Sequence, residues 1–234
     1  MMKLENKVAI ITGSALGIGK SEAELFAKEG AKVIVSDILD KEGEKVAAEI
    51  KKNGGECFYA HLDISKSQDW DEVVAKTISK YGKLDILLNN ATTFGPSNNP
   101  KGSNQDLSEE DWDEVMGINV KGIFLGTQRC IPEMLKNKKG SIVNTCSSSA
   151  TFGQLDVVPV YNASKGAIRT YTRSLAVQYG AEGIRVNSIS PGPIKTRMNL
   201  ELIKNERTSE KIQKRVALRR AGDPIEVARG AVFL

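Results

Sequence analysis

Tyr161 and Lys165 stand four positions apart in Tyr161-Asn162-Ala163-Ser164-Lys165. On a helix, residues i and i+4 share a face, so the phenol and the ammonium point the same way. A free tyrosine titrates near pH 10 and is a poor base at neutral pH, with a reference pKa of about 10. A fixed cation beside it stabilises the phenolate and lowers that value. A tyrosine so tuned can pass a proton to or from an oxygen of a bound molecule. The spacing is common, and an isolated pair reads equally well as two helical residues with no shared task. Upstream, Ser147-Ser148-Ser149 offers hydroxyls able to hold the same oxygen. The single histidine, His61, ends a strand-like run, and no Cys-x-x-Cys exists. One histidine cannot build a typical zinc site, so no metal is expected and acid–base work falls to another group.

A second stretch, Val8 to Gly19, reads VAIITGSALGIG. Val8 to Ile11 form a short apolar run, the signature of a strand buried on both faces. Thr12, Gly13 and Ser14 break it. After Gly17 and Gly19 a helical pattern begins, with Ala23, Phe26 and Ala27 on one face and charges on the other. Strand, glycine turn and helix make a dinucleotide-binding plan. Glycines admit the pyrophosphate to the backbone, and the helix N-terminus offers free N–H groups and a positive dipole end. The spacing Gly-x-x-x-Gly-x-Gly differs from the common Gly-x-Gly-x-x-Gly, and a tight turn without a ligand explains it equally well.

These groups must be positioned by an alternation of elements. Strands are expected at Lys32–Ser36, Glu56–Leu62, Leu84–Asn89, Ser141–Thr145 and Ile184–Ile189, after the first. Helices are expected at Asp40–Asn53, Ser67–Tyr81, Ser108–Asn137 with a break near Gly117 to Asn119, and Pro159–Tyr179. Such alternation gives an α/β fold: a doubly wound parallel sheet with helices on both faces. No linker or repeat interrupts it, so 1–234 is read as a single domain. Ligands then belong at the C-terminal ends of the strands.

Those ends carry Asp37, Asp63, Asn89-Asn90-Ala91, the serine run and Pro191-Gly192-Pro193. A carboxylate at Asp37 can accept hydrogen bonds from adenosine ribose hydroxyls. Each has a plain alternative: Asp63 with Ser65 can cap a helix, and Pro-Gly can turn. Their concentration on one sheet edge favours a site.

Taken together, TGSALGIG (Thr12 to Gly19), Asp63, NNA (Asn89 to Ala91), Asn119, the serines, YNASK and RVNSISPGPIKT (Arg185 to Thr196) make the chain resemble the short-chain dehydrogenases/reductases over its whole length. The resemblance implies a Rossmann-like fold and NAD(P)-dependent hydride transfer between an alcohol carbon and nicotinamide. Tyr161 would be the acid–base group, and Lys165 would lower its pKa and bind the nicotinamide ribose. A serine would hold the substrate oxygen, and Asn119 at a helix kink would support a water chain to Lys165. The implied cofactor site comprises Gly13, Ser14, Leu16, Gly17, Ile18 and Gly19, then Asp37, Ile38, Asp63 and Ile64. Asn90, Ala91, Thr92, Tyr161, Lys165, Pro191, Gly192, Ile194 and Thr196 complete it, the last two against the nicotinamide amide. Asp37, with Leu16 and Ile38 where NADP users carry a basic residue, points to NAD.

Three departures matter. Thr92 stands where the family has glycine, narrowing the space beside the cofactor ribose. The family's usual spacing back from Tyr161 selects Ser148, whereas aligning the strand through Asn144 and the turn through Gly153 selects Ser147. Strand register shifts less readily than loop length, which favours Ser147. Finally, the family's last strand and glycine-rich tail do not follow Leu234. They help to assemble a tetramer, so a homo-oligomer, tetramer or dimer, is expected without its state being fixed.

Composition is ordinary for a soluble globular protein: 26% charged and 40% hydrophobic residues, with a net charge of +4. So small and dispersed an excess excludes a nucleic-acid partner. No apolar run reaches membrane-spanning length, and Met1 to Lys7 is not a signal peptide. Cys57, Cys130 and Cys146 sit among apolar neighbours, as expected of reduced thiols in a cytoplasmic protein. The partner expected is a small alcohol or carbonyl compound. Two other readings stay open: an NAD-binding regulator or scaffold without catalysis, and a sugar-nucleotide epimerase or dehydratase. The substrate is not legible. The loop Thr92 to Leu107 carries Asn98, Asn99, Ser103 and Asn104, suiting a sugar or polyol. The loops after Ser149 and Met198 carry Phe152, Leu155, Val157, Val158, Met198 and Leu202, suiting an apolar molecule.

Overall fold

The computed structural model describes residues 2–95, 103–152, 157–197 and 206–234. Asn98, Asn99, Gly153, Leu155, Met198 and Leu202 lie outside the described residues.

The Val8–Thr12 strand (β1) is buried at all five positions. Its odd and even residues enter different cores. Ala9 and Ile11 pack with Ala23, Phe26 and Ala27 of helix α1 (Gly17–Lys28) and with Val33 and Val35 of β2 (Lys32–Asp37). Val8 and Ile10 face the other way, onto Trp70 and Val73 of α3 (Ser67–Tyr81) and Ile34 of β2. The strand is therefore apolar throughout because both of its faces are covered.

Six parallel strands form the sheet, in the order β3-β2-β1-β4-β5-β6. The others are β3 (Glu56–His61), β4 (Ile86–Asn89), β5 (Gly140–Thr145) and β6 (Ile184–Ile189). Helix α2 (Asp40–Lys52) joins α1 on one face, and α5 (Gly122–Lys136) and α6 (Pro159–Tyr179) join α3 on the other. This is the doubly wound, Rossmann-like arrangement expected. The strand order reverses between β1 and β4, and the crevice at that switch point is where such sheets hold ligands.

Several local expectations need correction. Strand β4 begins at Ile86, not Leu84, because Asp85 turns its carboxylate to accept the Val8 N–H at 2.9 Å and to pair with Lys83. The helix break near Asn119 is a π turn, Gly117–Lys121, between α4 (Glu109–Met116) and α5. The charges of α1 do not all face outward: Glu22 is 1% exposed. Two helices went unread, α7 (Glu206–Arg215) and α8 (Pro224–Phe233). The second has a readable start, since Asp223 and Glu226 form a capping box around Pro224. Its Ala231 and Val232 join the core beneath α1.

Candidate active site

The glycine turn is built for close approach. Gly13 and Gly17 have φ of +64° and +58°, a region glycine enters without strain. A Cβ on Gly13 would stand 2.8 Å from the Ala91 Cα, and one on Gly19 would collide with the Gly13 carbonyl oxygen. Asn90 Nδ2 donates to the carbonyls of Thr12 and Gly13, at 3.0 and 3.2 Å. Thr12 Oγ1 in turn accepts from the N–H groups of Asn90 and Ala91, both at 3.0 Å. The turn is thus held from the end of β4. Leu16 caps α1 with no side-chain hydrogen bond, and no acid stands in its first turn, which suits an anion there. Ile18 is half-buried in that turn. Ser14 is engaged elsewhere: its buried hydroxyl donates to the Ile11 carbonyl at 2.9 Å and accepts from the Ser36 N–H at 2.8 Å. It ties β1 to β2 rather than lining the cradle.

Asp37 closes the far end. Its carboxylate accepts from the Ala15 N–H at 2.9 Å and from the Leu39 N–H at 3.1 Å, which leaves each oxygen a further lone pair. Ile38 beside it is exposed. Asp63 makes a local turn instead of capping α3: Oδ1 accepts from the N–H and hydroxyl of Ser65, and Oδ2 pairs with Lys66. The Ile64 side chain is buried over Gly122, and its carbonyl takes the Trp70 indole N–H at 3.0 Å.

The Tyr161 side of the site is denser. Helix α6 buries both Tyr161 and Lys165. Lys165 Nζ lies 5.4 Å from the centre of the Tyr161 ring and donates to the Thr145 carbonyl at 2.9 Å. The Ser147 hydroxyl lies beside the Tyr161 phenol and favours its ionised form. Ser147 Oγ also accepts the Ser149 N–H at 3.1 Å, which leaves its proton to be donated. Ser148 turns its N–H to the Pro191 carbonyl at 3.1 Å. Ser147, the choice of the strand-based register, and Ser148, the choice of the spacing from Tyr161, both stand at the end of β5 as candidates for the substrate oxygen.

Asn119 lies in the π turn, and its amide bonds are to Thr92, Thr93 and Ser164. Oδ1 accepts from Thr92 Oγ1 at 2.8 Å and the Thr93 N–H at 2.9 Å. Nδ2 donates to the Thr93 carbonyl at 2.9 Å and to Ser164 Oγ at 3.0 Å. The Thr92 side chain points at Asn119, and the departure from glycine adds a hydrogen bond there. After β6, Ile194 bridges to Gly222, and Thr196 lies where a Cβ on Gly17 would stand 3.3 Å from its methyl carbon. Gly192 has open space around its Cα. Pro191 to Thr196 thus connect the glycine turn to the serines.

Burial sets the ionisation here. It pushes the Tyr161 phenol up to about 12, partly opposed by the Ser147 hydroxyl. It pushes the Lys165 ammonium down to about 8. Among the protein's own groups, removing the phenolate from water is the largest influence on Tyr161, and it raises the value.

Residues 7–207 match the family described as short chain dehydrogenase. The chain belongs to the short-chain dehydrogenase family. It is 36% identical over 236 aligned positions to cyclopentanol dehydrogenase of Comamonas sp. (strain NCIMB 9872), covering 100% of this chain and 91% of that protein. It is 38% identical to the 3-oxoacyl-[acyl-carrier-protein] reductase FabG of Thermotoga maritima, covering 100% and 92%. The crystal structure of gox2181 superposes with a TM-score of 0.93 at 29% identity, covering 100% of this chain and 91% of that one. As a short-chain dehydrogenase the chain is an oxidoreductase acting on CH–OH groups with a nicotinamide cofactor. The regulator and epimerase readings give way to this one.

The glycine cradle, the uncapped helix start and the Asp37 acceptors fit such a dinucleotide. Two residues of this site were not singled out from sequence. Thr12 holds the β4 loop, and Ser164 relays Asn119 to the Tyr161 carbonyl at 2.7 Å. Both sat inside quoted motifs. Polar residues at a strand end and one helical turn from Tyr161 were the available signal.

Proposed function

We propose that this short-chain dehydrogenase uses NAD(H) and interconverts a secondary alcohol and its ketone, with Tyr161 as the acid–base group. The observation that carries the assignment is the burial of Tyr161 and Lys165 together on α6, with Lys165 Nζ 5.4 Å from the centre of the Tyr161 ring. In reduction, Tyr161 donates its proton to the substrate oxygen while Ser147 hydrogen-bonds the same atom. A phenol pushed up to about 12 is fully protonated at neutral pH and ready to act as that acid. In oxidation the proton returns to Tyr161, and Lys165 supplies the positive charge that favours this base. Lys165 is held to that place by the Thr145 carbonyl. The nicotinamide, when bound, supplies or accepts the hydride. Gly13, Gly17 and Gly19 would admit its pyrophosphate, Asp37 its adenosine ribose, and Ile194 and Thr196 its carboxamide.

A homo-oligomer in the cytoplasm completes the reading. Exposed Phe124, Val177 and Phe233 support self-association, and light scattering of the purified protein measures it. The buried free thiols of Cys57, Cys130 and Cys146 suit a reducing compartment. Among the described residues no helix is long and apolar enough to cross a membrane. A screen of alcohols with NAD and ketones with NADH, followed by nicotinamide absorbance, tests the reaction. No turnover across that screen would overturn it.

A further inference from the structure

The residue after the Asn119 clamp is Phe94. Asn119 grips the backbone of Thr93 at both ends of its amide, accepting its N–H and donating to its carbonyl, each at 2.9 Å. That two-point grip fixes where the next side chain leaves the chain. The Phe94 ring meets the Tyr161 ring with centroids 4.8 Å apart and planes tilted by 57°. Gly95 then turns away with φ of +140°, a conformation that side-chain-bearing residues avoid. Phe94 is only partly buried, as are Leu107, Met116 and Val157, which pack in the same cluster around Tyr161. The described surface next to the phenol is therefore an apolar wall.

The polar groups nearby are already satisfied by one another. Thr92 and Ser164 are bound to Asn119, and Lys165 to Thr145. Asn162 has a buried Oδ1 without a partner, but it is the residue after Tyr161 and leaves a different face of α6. Thr93 Oγ1 is turned to the Gly95 carbonyl, and the described polar residues Ser103 to Asp106 farther along the loop are exposed, Ser103 being bonded to Asp106. Ser147 lies beside the phenol. Among the described residues, the groups beside the phenol offer partners for one substrate oxygen and few for others. A polyol seated there would bury hydroxyls unpaired, which is costly. A hydrocarbon ring or branched chain on the carbinol carbon would instead lie against Phe94, gaining apolar contact.

We infer that Phe94 is a specificity residue, and that it selects secondary alcohols and ketones with an apolar, compact hydrocarbon group beside the reacting carbon over sugars and polyols. This rests on the reading of Tyr161 as the reacting group. The full-length enzyme is assayed with cyclohexanol and 3-methyl-2-butanol, and with sorbitol and glucose, using NAD and NADP in turn. The wild type is expected to favour the hydrocarbon alcohols in kcat/KM by about 100-fold or more, since even one methylene in an apolar pocket is worth roughly 10-fold or more. Phe94→Ala should lose about 10-fold in kcat/KM on cyclohexanol, mainly through KM, with NADH affinity unchanged. Phe94→Leu, which keeps an apolar wall, should recover most of it. A merely structural Phe94 would instead lower kcat and cofactor affinity for every substrate alike. That result, or a wild-type preference for sorbitol or glucose, overturns the inference alone. No turnover in either series would overturn the Tyr161 reading, and this inference with it.

Discussion

The hydroxyl of Thr92, where the family has glycine, donates to Asn119 Oδ1 at 2.8 Å. The bond joins the end of β4 to the π turn that leads into α5, and Asn119 passes it on to Ser164 of α6. Thr92→Gly removes that donor and frees the unfolded chain. A net hydrogen bond contributes about 1 kcal/mol, and a glycine in place of another residue costs a further ~0.5–1 kcal/mol. The melting temperature should fall by about 4–8 °C, at roughly 2–4 °C per kcal/mol for a chain of this size. Differential scanning calorimetry checks it. An unchanged transition would mean that the Thr92–Asn119 bond contributes nothing to stability.

Tyr161→Phe keeps the ring, and with it the contacts to Phe94 and Lys165. It removes only the titratable oxygen. Loss of an acid–base group lowers rate by about 10² to 10⁴. Turnover should drop in that range while NADH binding, followed by fluorescence, stays within twofold. A Phe variant with near-wild-type kcat would assign the proton transfer elsewhere.

Ser147→Ala and Ser148→Ala should differ. Ser147 lies beside the phenol and has its hydroxyl proton to donate. Deleting a donor to the reacting oxygen costs about 10² to 10³ in kcat. Ser148, whose N–H bonds the Pro191 carbonyl through the main chain, should tolerate alanine with a far smaller loss. The reverse order of damage would make Ser148 the substrate-oxygen residue.

Glu22 is buried beneath α1, with Oε2 unpartnered and its carboxyl pushed up from 4.5 to about 8 by burial alone. A folded-state value above the unfolded one means that the native protein holds a proton which the unfolded chain has released. Native stability is therefore unaffected by this group below pH 4.5, falls between pH 4.5 and 8, and is fully reduced above 8. The slope is about 1.4 kcal/mol per pH unit. Glu22→Met should raise the melting temperature at pH 7.5, with a smaller gain at pH 5. An equal gain at both pH values would show that ionisation is not the cause.

Much of this was legible because burial on both faces writes itself into composition. Val8 to Ile11 and Lys32 to Ser36 read as strands from their apolar runs, and helical crossovers then required a parallel sheet. Gly13 and Gly17 were readable because a turn with positive φ selects glycine. Contacts across sequence were not. Thr92 and Asn119 are 27 positions apart, and no local pattern says that one bonds the other. Glu22 follows the helical charge pattern in type but sits on the same face as Ala23 and Phe26, a conflict visible only once α8 covers that face. A lysine four positions from Tyr161 is visible in a sequence, whereas the burial that raises the phenol's value is not.

The cofactor is the sharpest test. Asp37 ends β2, and its carboxylate is oriented by the N–H groups of Ala15 and Leu39 at the rim of the glycine turn. The free lone pairs suit the 2′- and 3′-hydroxyls of NAD. NADP carries a phosphate at the 2′ position, and like charges juxtaposed in a site cost several kcal/mol. Among the described residues, no cation is bonded to Asp37. Lys20 Nζ is bonded to Glu49 at 2.9 Å and paired with Glu24 at 3.5 Å. Leu16 and Ile38 carry no charge, and Lys41 is exposed on α2. NAD should therefore exceed NADP in kcat/KM by about 100-fold or more, at 1.4 kcal/mol per tenfold. Asp37→Ala should erode the ratio by weakening NAD and relieving NADP, though it also releases the Ala15 N–H. Asp37→Asn keeps a neutral acceptor for that N–H and removes only the charge, so in this variant NADP should gain while NAD falls modestly. Steady-state kinetics with both cofactors on the three proteins decide it. Equal kcat/KM values in the wild type, or a preference for NADP, would mean that Asp37 orients the glycine turn without facing the ribose.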